Sequence, residues 1–290
     1  MRIAQTVFWR SLLLSGLTVA STANASVTVL DDARHSVTLN KPAQRIISLA
    51  PHATELLFQA GAGHMIIAVS DYSDYPEAAK KIISIGSILA TDLERLIALK
   101  PDLVVVWGTG NAKLLATKLR SHHVTVFESE PHDFETIASS LERLAHLAGT
   151  DATGKIAANN FRERLNSLTK KYQLKDTEKP LSVFYQIWGK PLMTLNDQHL
   201  VSSAIRLCGG KNIFGTLKEI SPTVSTEAVL AANPQVIITS SGEQQDSLLD
   251  WRHFPHINAV KKANLFTIKG DLLNRSGPGC SMAPKHFVRC

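Results

Sequence analysis

Apolar positions along the chain fall in short clusters separated by polar turns, and the spacing within each cluster predicts its element. Val27 to Leu39 alternates loosely and ends at Lys41-Pro42, which predicts a short hairpin or edge strand. Arg45-Ile-Ile-Ser-Leu-Ala50 is a mostly apolar run of strand length that stops at Pro51. A helix is predicted next, with Thr54 as N-cap, Glu55 in its first turn and Leu56, Leu57 and Ala60 as an apolar stripe up to Gly61. Helices are further predicted at Asp92 to Leu99, 112 to 121 and 134 to 149, and strands at Leu103 to Trp107 and Val124 to Phe127. Strand, polar turn and helix alternate throughout, which is the pattern of an α/β fold.

From Asp151 to about Lys175 the chain has no proline and one glycine. Ile156, Phe161, Leu165, Leu168 and Tyr172 recur at near-helical spacing among charges. One long helix is predicted. After it the α/β pattern restarts, with a strand at Leu181 to Gln186 and a helix at 198 to 208.

The restart includes a second version of an earlier segment. Glu94-Arg-Leu-Ile-Ala-Leu-Lys-Pro-Asp-Leu-Val-Val105 and Glu227-Ala-Val-Leu-Ala-Ala-Asn-Pro-Gln-Val-Ile-Ile238 share a leading acid, an alanine four residues on, a proline seven residues on, and a β-branched strand. Glu94 and Glu227 are 133 residues apart. Helix, proline and strand are common α/β punctuation, but the agreement predicts two similar lobes. The expected division is a segment at 1–25, a first lobe at 26–149, a connecting helix at 150–178 and a second lobe at 179–290. The fold class is therefore α/β, with two Rossmann-like lobes joined by one long rigid helix.

Composition narrows the class. A chain of 290 residues that is 44% hydrophobic and 19% charged can bury substantial cores. Residues 1–25 run from Arg2 and Arg10 through the apolar stretch Leu12 to Ala20 to Ala23-Asn24-Ala25, the order of a secretory signal cleaved after Ala25. Its removal takes two arginines from the formal charge of +6 and leaves +4. The remaining basic residues are interspersed with acids, so no nucleic-acid groove is expected. The apolar run is shorter than the roughly 20 residues of a spanning helix, and no cysteine near the cleavage point could carry a lipid. A soluble, exported and monomeric protein is expected.

The chemistry of a familiar enzyme is missing. The sequence holds no HExxH, no GxSxG and no Walker-type glycine loop, and Gly108-Thr-Gly110 lacks the third glycine of a dinucleotide fingerprint. His122-His123 and the pair His253 and His256 offer no familiar metal spacing, and Cys208, Cys280 and Cys290 form no CxxC. No catalytic residue, metal or catalytic cofactor is expected, although distant segments could still assemble a hydrolytic site. An exported bilobal protein without a catalytic set fits capture of a small molecule in a cleft. Tyr185 and Trp188, at the end of a second-lobe strand, are candidate aromatic platforms there, with packing in the core as the alternative.

The segments Arg45 to Glu55, Asp71-Tyr-Ser-Asp-Tyr-Pro76, Asp92-Leu-Glu-Arg95 with Lys100-Pro-Asp-Leu103, and Leu207-Cys-Gly-Gly-Lys-Asn-Ile-Phe214 resemble the periplasmic solute-binding proteins with one rigid inter-lobe helix. Members of that class bind cobalamin, haem or iron siderophores and deliver them to an ABC importer. Ser70 to Pro76 and the Cys208-Gly-Gly segment most resemble its cobalamin-binding members. The resemblance implies cobalamin as ligand, with haem or a siderophore as the alternative. It places Tyr72 on the corrin face with Pro51 and Trp107 nearby, and sets Asp271 and Arg275 against the corrin amides. A haem pocket would instead use Tyr72 or a histidine such as His52 as axial ligand. Three aromatic positions of the cobalamin binders are replaced here by Ile88, Ser221 and Leu272.

The resemblance also implies that Glu94 and Glu227 dock on arginines of the importer's membrane subunits. Stabilisation of a helix N-terminus by a carboxylate would explain either acid alone. The class continues past Arg275-Ser-Gly-Pro278 into a closing helix with a cysteine partner for Cys208. Here Gly279 to Cys290 contains Pro284 and no amphipathic stripe, so that helix is expected to be missing. Cys208 then pairs with Cys280, with Cys290, or with neither.

Overall fold

A computed structural model describes residues 26–87, 92–108, 111–172, 174, 178–241 and 248–269. The expected secretory segment, Ile88, and everything from Gly270 on, including Asp271, Leu272, Arg275, the expected loss of the closing helix, Cys280 and Cys290, lie outside these residues.

The loosely alternating N-terminal stretch forms β1 (Val27–Leu30) and β2 (Ser36–Leu39), paired antiparallel. The apolar run that follows becomes β3 (Ile46–Ser48), wholly buried. Helix α1 (Pro51–Gln59) starts before the predicted Thr54 cap, because Pro51 occupies the first helical position, where its missing N–H costs nothing. Thr54 is instead buried within the helix and donates its hydroxyl to Ser48 Oγ at 2.8 Å. Then come β4 (Ile66–Val69), α2 (Leu93–Ala98), β5 (Leu103–Trp107) and α3 (Asn111–Ser121). β6 (Val126–Ser129) begins two residues later than the predicted strand, and α4 (Phe134–Ala148) stops at Gly149, whose φ of 70° ends the helix.

The predicted long helix is α5 (Asp151–Tyr172), 22 residues. It lies against α4 so closely that a Cβ on Gly154 would overlap Ala145. Arg162 of α5 clamps Glu142 of α4 at 2.7 Å and also reaches Glu135. Beyond α5 follow β7 (Leu181–Gln186), α6 (Leu200–Leu207), β8 (Gly210–Asn212), α7 (Thr226–Ala232), β9 (Val236–Ser241), α8 (Asn258–Lys261) and β10 (Leu265–Lys269).

The strands form two four-stranded parallel sheets, ordered β4-β3-β5-β6 and β8-β7-β9-β10. Both place the second strand outside the first and the third and fourth on its other side, so the repeat seen in the sequence is a repeat of topology. It extends to detail. Lys100 and Asn233, 133 residues apart and each followed by proline, both take left-handed backbone, with φ of 47° and 45°. Proline disfavours a helical residue before it, and the left-handed turn reverses the chain towards the next strand. Two residues on, Asp102 accepts the amides of Gln44 and Arg45, while Gln235 accepts the amide of Ser182. In each lobe a side chain leading into the third strand ties down the approach to the first.

Apolar clusters cover both faces of each sheet. Leu200, the first residue of α6, is buried in the core of the first lobe, which anchors the second lobe at that point. Tyr185 corrects one expectation. It has no exposed surface and packs with Val183, Val201, Ile205 and Ile238, so its ring belongs to the second core and offers no platform to a cleft. The strand period explains this: Tyr185 points into the face that α6 covers.

Cys208 is partly buried, and burial pushes its thiol up to about 12. With Val183, Ile205, Val236, Ile238 and Phe266 it lines an apolar pocket of about 100 Å³. No disulfide forms among the described residues.

Candidate functional site

In a parallel α/β sheet the loops leaving the carboxyl ends of the strands carry the site, because the strands hold them rigidly and their backbone groups are not consumed by the ladder. Three expected residues of the first lobe lie on this edge. Pro51 follows β3, Tyr72 follows β4, and Trp107 ends β5.

Tyr72 is the most unusual of them. It is 83% exposed and has a φ of 63°, a left-handed backbone that is sterically unfavourable for an aromatic residue. The surrounding turn holds it there. The Asp71 amide donates to Gly86 O, the Ser84 hydroxyl donates to the Asp71 carboxylate at 2.6 Å, and the Ser73 amide closes onto Ser70 O. A large ring is thus presented to solvent on a fixed base.

Trp107 is half-buried and meets His52 edge to face, with ring centroids 5.0 Å apart. His52 is 1% exposed, and its Nε2 lies 3.2 Å from Ser129 O, while among the described residues Nδ1 has no hydrogen-bond partner. Burial, opposed in part by the contact with Ser129, lowers its pKa to about 4. This corrects the expectation of His52 as an axial ligand, because a ring so enclosed supports Trp107 from below and cannot reach an iron in the cleft.

The second lobe contributes Trp188, just beyond β7. It is 45% exposed, and its indole N–H donates to Lys190 O at 2.9 Å, which fixes the ring plane. Ser221 is exposed, with no aromatic face at that position. Nearby, Gln186, Lys190, Pro191, Thr223, Trp251 and Phe254 are among the residues lining a cavity of about 420 Å³. Sequence reading missed this cavity. Its signal was a glutamine closing a mostly apolar strand.

The two acids of the repeated segment occupy equivalent exposed positions at the starts of α2 and α7. Asp92 caps α2 by accepting the Glu94 and Arg95 amides, and Ser225 caps α7 by accepting the Ala228 amide. Since a separate residue performs the capping in each case, neither glutamate is needed for that purpose. The Glu227 carboxyl is held below the usual range by its own backbone N–H and then by the Ser225 hydroxyl. Because each helix starts at the carboxyl edge of its sheet, both glutamates share the rim that carries the aromatic residues.

A further cavity, of about 350 Å³, lies where the lobes meet, lined by His132 and Asp133 from one side and Asp197, Gln198, Ser203 and Arg206 from the other. Arg206 pairs with Asp197 at 3.0 Å. Beside it, His199 caps α6 by accepting the Val201 amide at Nδ1. Burial, and then the nearness of His132, lowers the pKa of His199 to about 4.

One cluster has metal-ligand composition. Asp31, His35 and Glu128 can bring one ligand atom each within 4.8 Å of the others. Arg120 already bridges the two buried acids, at 3.2 Å to Asp31 and 2.5 Å to Glu128, and so supplies the cationic charge itself. Among the described residues no helix is long and apolar enough to cross a membrane.

A family model described as "Periplasmic binding protein" matches residues 46–272. A curated "Vitamin B12-binding protein" of Vibrio cholerae serotype O1 is 38% identical over 238 residues, covering 82% of this chain and 85% of the relative. The crystal structure of the periplasmic vitamin B12 binding protein of Vibrio cholerae superposes with a TM-score of 0.75 at 37% identity, over 84% of this chain and 94% of that one. The periplasmic haem-binding protein of Roseiflexus sp. RS-1 superposes with a TM-score of 0.72, over 85% of this chain and 97% of that one, but at 20% identity this likeness reaches only to the fold.

Proposed function

The chain belongs to the periplasmic binding protein family, and from that premise we propose that it captures cobalamin between its two lobes in the periplasm and delivers it to an ABC importer. The observation that carries the reading is Tyr72, a ring held out on left-handed backbone at the carboxyl edge of the first sheet. Cobalamin is a broad, flat disc with amide arms. It demands apolar faces plus a few polar groups at the rim, and no acid, base or nucleophile. Tyr72, Trp107 and Pro51 supply faces from one lobe and Trp188 from the other. Asp271 and Arg275 are assigned to the amide arms by resemblance. The protein acts by binding and releasing its ligand, without a catalytic step.

The discriminating experiment is equilibrium titration of the purified protein with cyanocobalamin and haemin. Tight, saturable binding of cyanocobalamin, weakened by Tyr72→Ala, is expected. Preference for haemin would move the protein to the haem branch of the same fold.

Delivery rests on Glu94 and Glu227, placed alike on the two lobes with caps of their own. Charge reversal, Glu94→Lys or Glu227→Lys, is expected to slow importer-dependent cobalamin uptake about tenfold or more, as loss of one interfacial ion pair commonly does. Cobalamin affinity should stay unchanged. A fall in affinity with either variant would contradict the docking role.

A further inference from the structure

Asp31, His35 and Glu128 meet where the turn between β1 and β2 is stitched to β6, and their charges do not balance. The Asp31 and Glu128 side chains are 0% and 1% exposed, and Arg120 answers these two carboxylates with a single positive charge. The shortfall shows in the contacts. Arg120 and His35 both approach Oε1 of Glu128, while Oε2 is buried and, among the described residues, has no hydrogen-bond partner. A buried acceptor left without a donor is costly, so this oxygen is free for a cation that the fold itself does not supply.

The donor set and its spacing suit a late first-row divalent ion. His35 Nδ1 stands 3.4 Å from Asp31 Oδ2 and 3.5 Å from Glu128 Oε1. Zinc holds imidazole nitrogen and carboxylate oxygen at about 2.0–2.2 Å, which in a tetrahedron sets neighbouring donors roughly 3.3–3.6 Å apart. The other oxygen of Asp31, Oδ1, accepts the His35 amide at 2.8 Å and so orients the carboxylate. Arg120 Nη2 lies 3.2 Å from Asp31 Oδ2 and 3.4 Å from His35 Nδ1, so a cationic nitrogen already stands among the same donors. Arg120 reaches them from the last turn of α3 and is 32% exposed, which lets its long side chain swing out to water. His35 is 52% exposed and gives an ion its way in. The sequence shows no metal spacing because Asp31 and Glu128 are 97 positions apart.

We propose that Asp31, His35 and Glu128 form a site for a divalent transition-metal ion, which exchanges with the Arg120 guanidinium. The ion takes His35 Nδ1, Asp31 Oδ2 and the Glu128 carboxylate, leaves a fourth position to water, and brings the two positive charges that two buried carboxylates require. The His35 ring then carries its proton on Nε2. Bound, the ion fastens the β1–β2 turn to β6. The imidazole disfavours magnesium, which demands oxygen ligands. The site does not depend on which ligand the cleft takes.

The test is calorimetric titration of the full mature protein, without a histidine tag, with Zn2+ at pH 7. The wild type is expected to bind one ion at this site. His35→Ala should weaken that binding about tenfold or more, and Arg120→Met, which removes the competing guanidinium, should strengthen it by about the same factor. A second readout covers the lowered stability of Arg120→Met. Zn2+ should raise the urea midpoint of that variant, and should fail to do so once His35→Ala is added. The site is overturned if the wild type takes up no Zn2+, if His35→Ala binds it as tightly as the wild type, or if Arg120→Met gains neither affinity nor stability from it. None of these results touches the cobalamin reading, which has its own titration.

Discussion

Acidification from pH 7 to pH 5 is expected to cost the folded protein several kcal/mol of stability, through His52 and His199 together. Both pKa values are lowered from 6.5 to about 4, chiefly by burial. The unfolded chain therefore takes up protons near pH 6.5 that the folded chain refuses until about pH 4. Stability is fully present above pH 7, and is lost as the pH falls through that window. For a shift of this size the linkage is about 2 kcal/mol per histidine at pH 5. The local geometry gives the same sign. A proton on His52 Nδ1 would be buried without an acceptor among the described residues, and one on His199 Nδ1 would remove the cap of α6. It would also place a charge beside His132, where Leu200 anchors the second lobe in the first core. Urea unfolding at pH 7, 6 and 5 checks this. His52→Gln and His199→Asn, the latter keeping a good cap, should each remove about half of the pH dependence. A wild-type stability that is flat from pH 7 to pH 5 would rule the account out.

Arg120→Met should be the most damaging single change outside the apolar cores. Its guanidinium joins Asp31 and Glu128, whose side chains are 0% and 1% exposed. Removing it takes the permanent cation from two buried carboxylates and leaves the half-exposed His35 ring, 3.4 and 3.5 Å from them, as their neighbour; breaking a buried pair from one side typically costs about 3–5 kcal/mol. The consequence spreads because Asp31 also accepts the His35 amide and the Glu128 amide, tying the β1–β2 hairpin to β6. Adding Glu128→Gln to Arg120→Met should recover part of the loss, since only one stranded charge then remains. Denaturant unfolding at pH 7 measures both variants. A cost below about 1 kcal/mol for Arg120→Met would show that water reaches the acids freely, as at an exposed ion pair.

Much of the scaffold was legible from local pattern. β5 and β7 match their predicted limits residue for residue, because each is an apolar run bounded by clear breaks, Pro101 on one and Pro180 on the other. The duplication was legible because the helix, proline and strand unit is written twice. The errors are equally local in cause. Thr54 reads as a cap by residue type, but Pro51 is the better first helical residue, and the threonine hydroxyl found Ser48 instead. Tyr185 reads as a platform by its place after apolar residues, yet strand alternation turns it into the core. Pattern could not separate His52 as a pocket wall from His52 as a ligand, since only enclosure by Trp107 and Ser129 decides that.

By itself the sequence determined the element order, the long connecting helix, the two-lobed class and the aromatic and acidic residues worth following. These depend on periodicity, turn residues and internal repetition, all short-range properties of the chain. Only the tertiary structure decided which of those residues stand free. It held Tyr72 outward on left-handed backbone, buried Tyr185 and His52, matched the order of the two sheets, and joined Gln186 to Trp251 across 65 positions of chain. Exposure, partner choice and pKa are set by atoms that meet from distant segments, and a linear pattern carries no record of which side of a strand another element will cover.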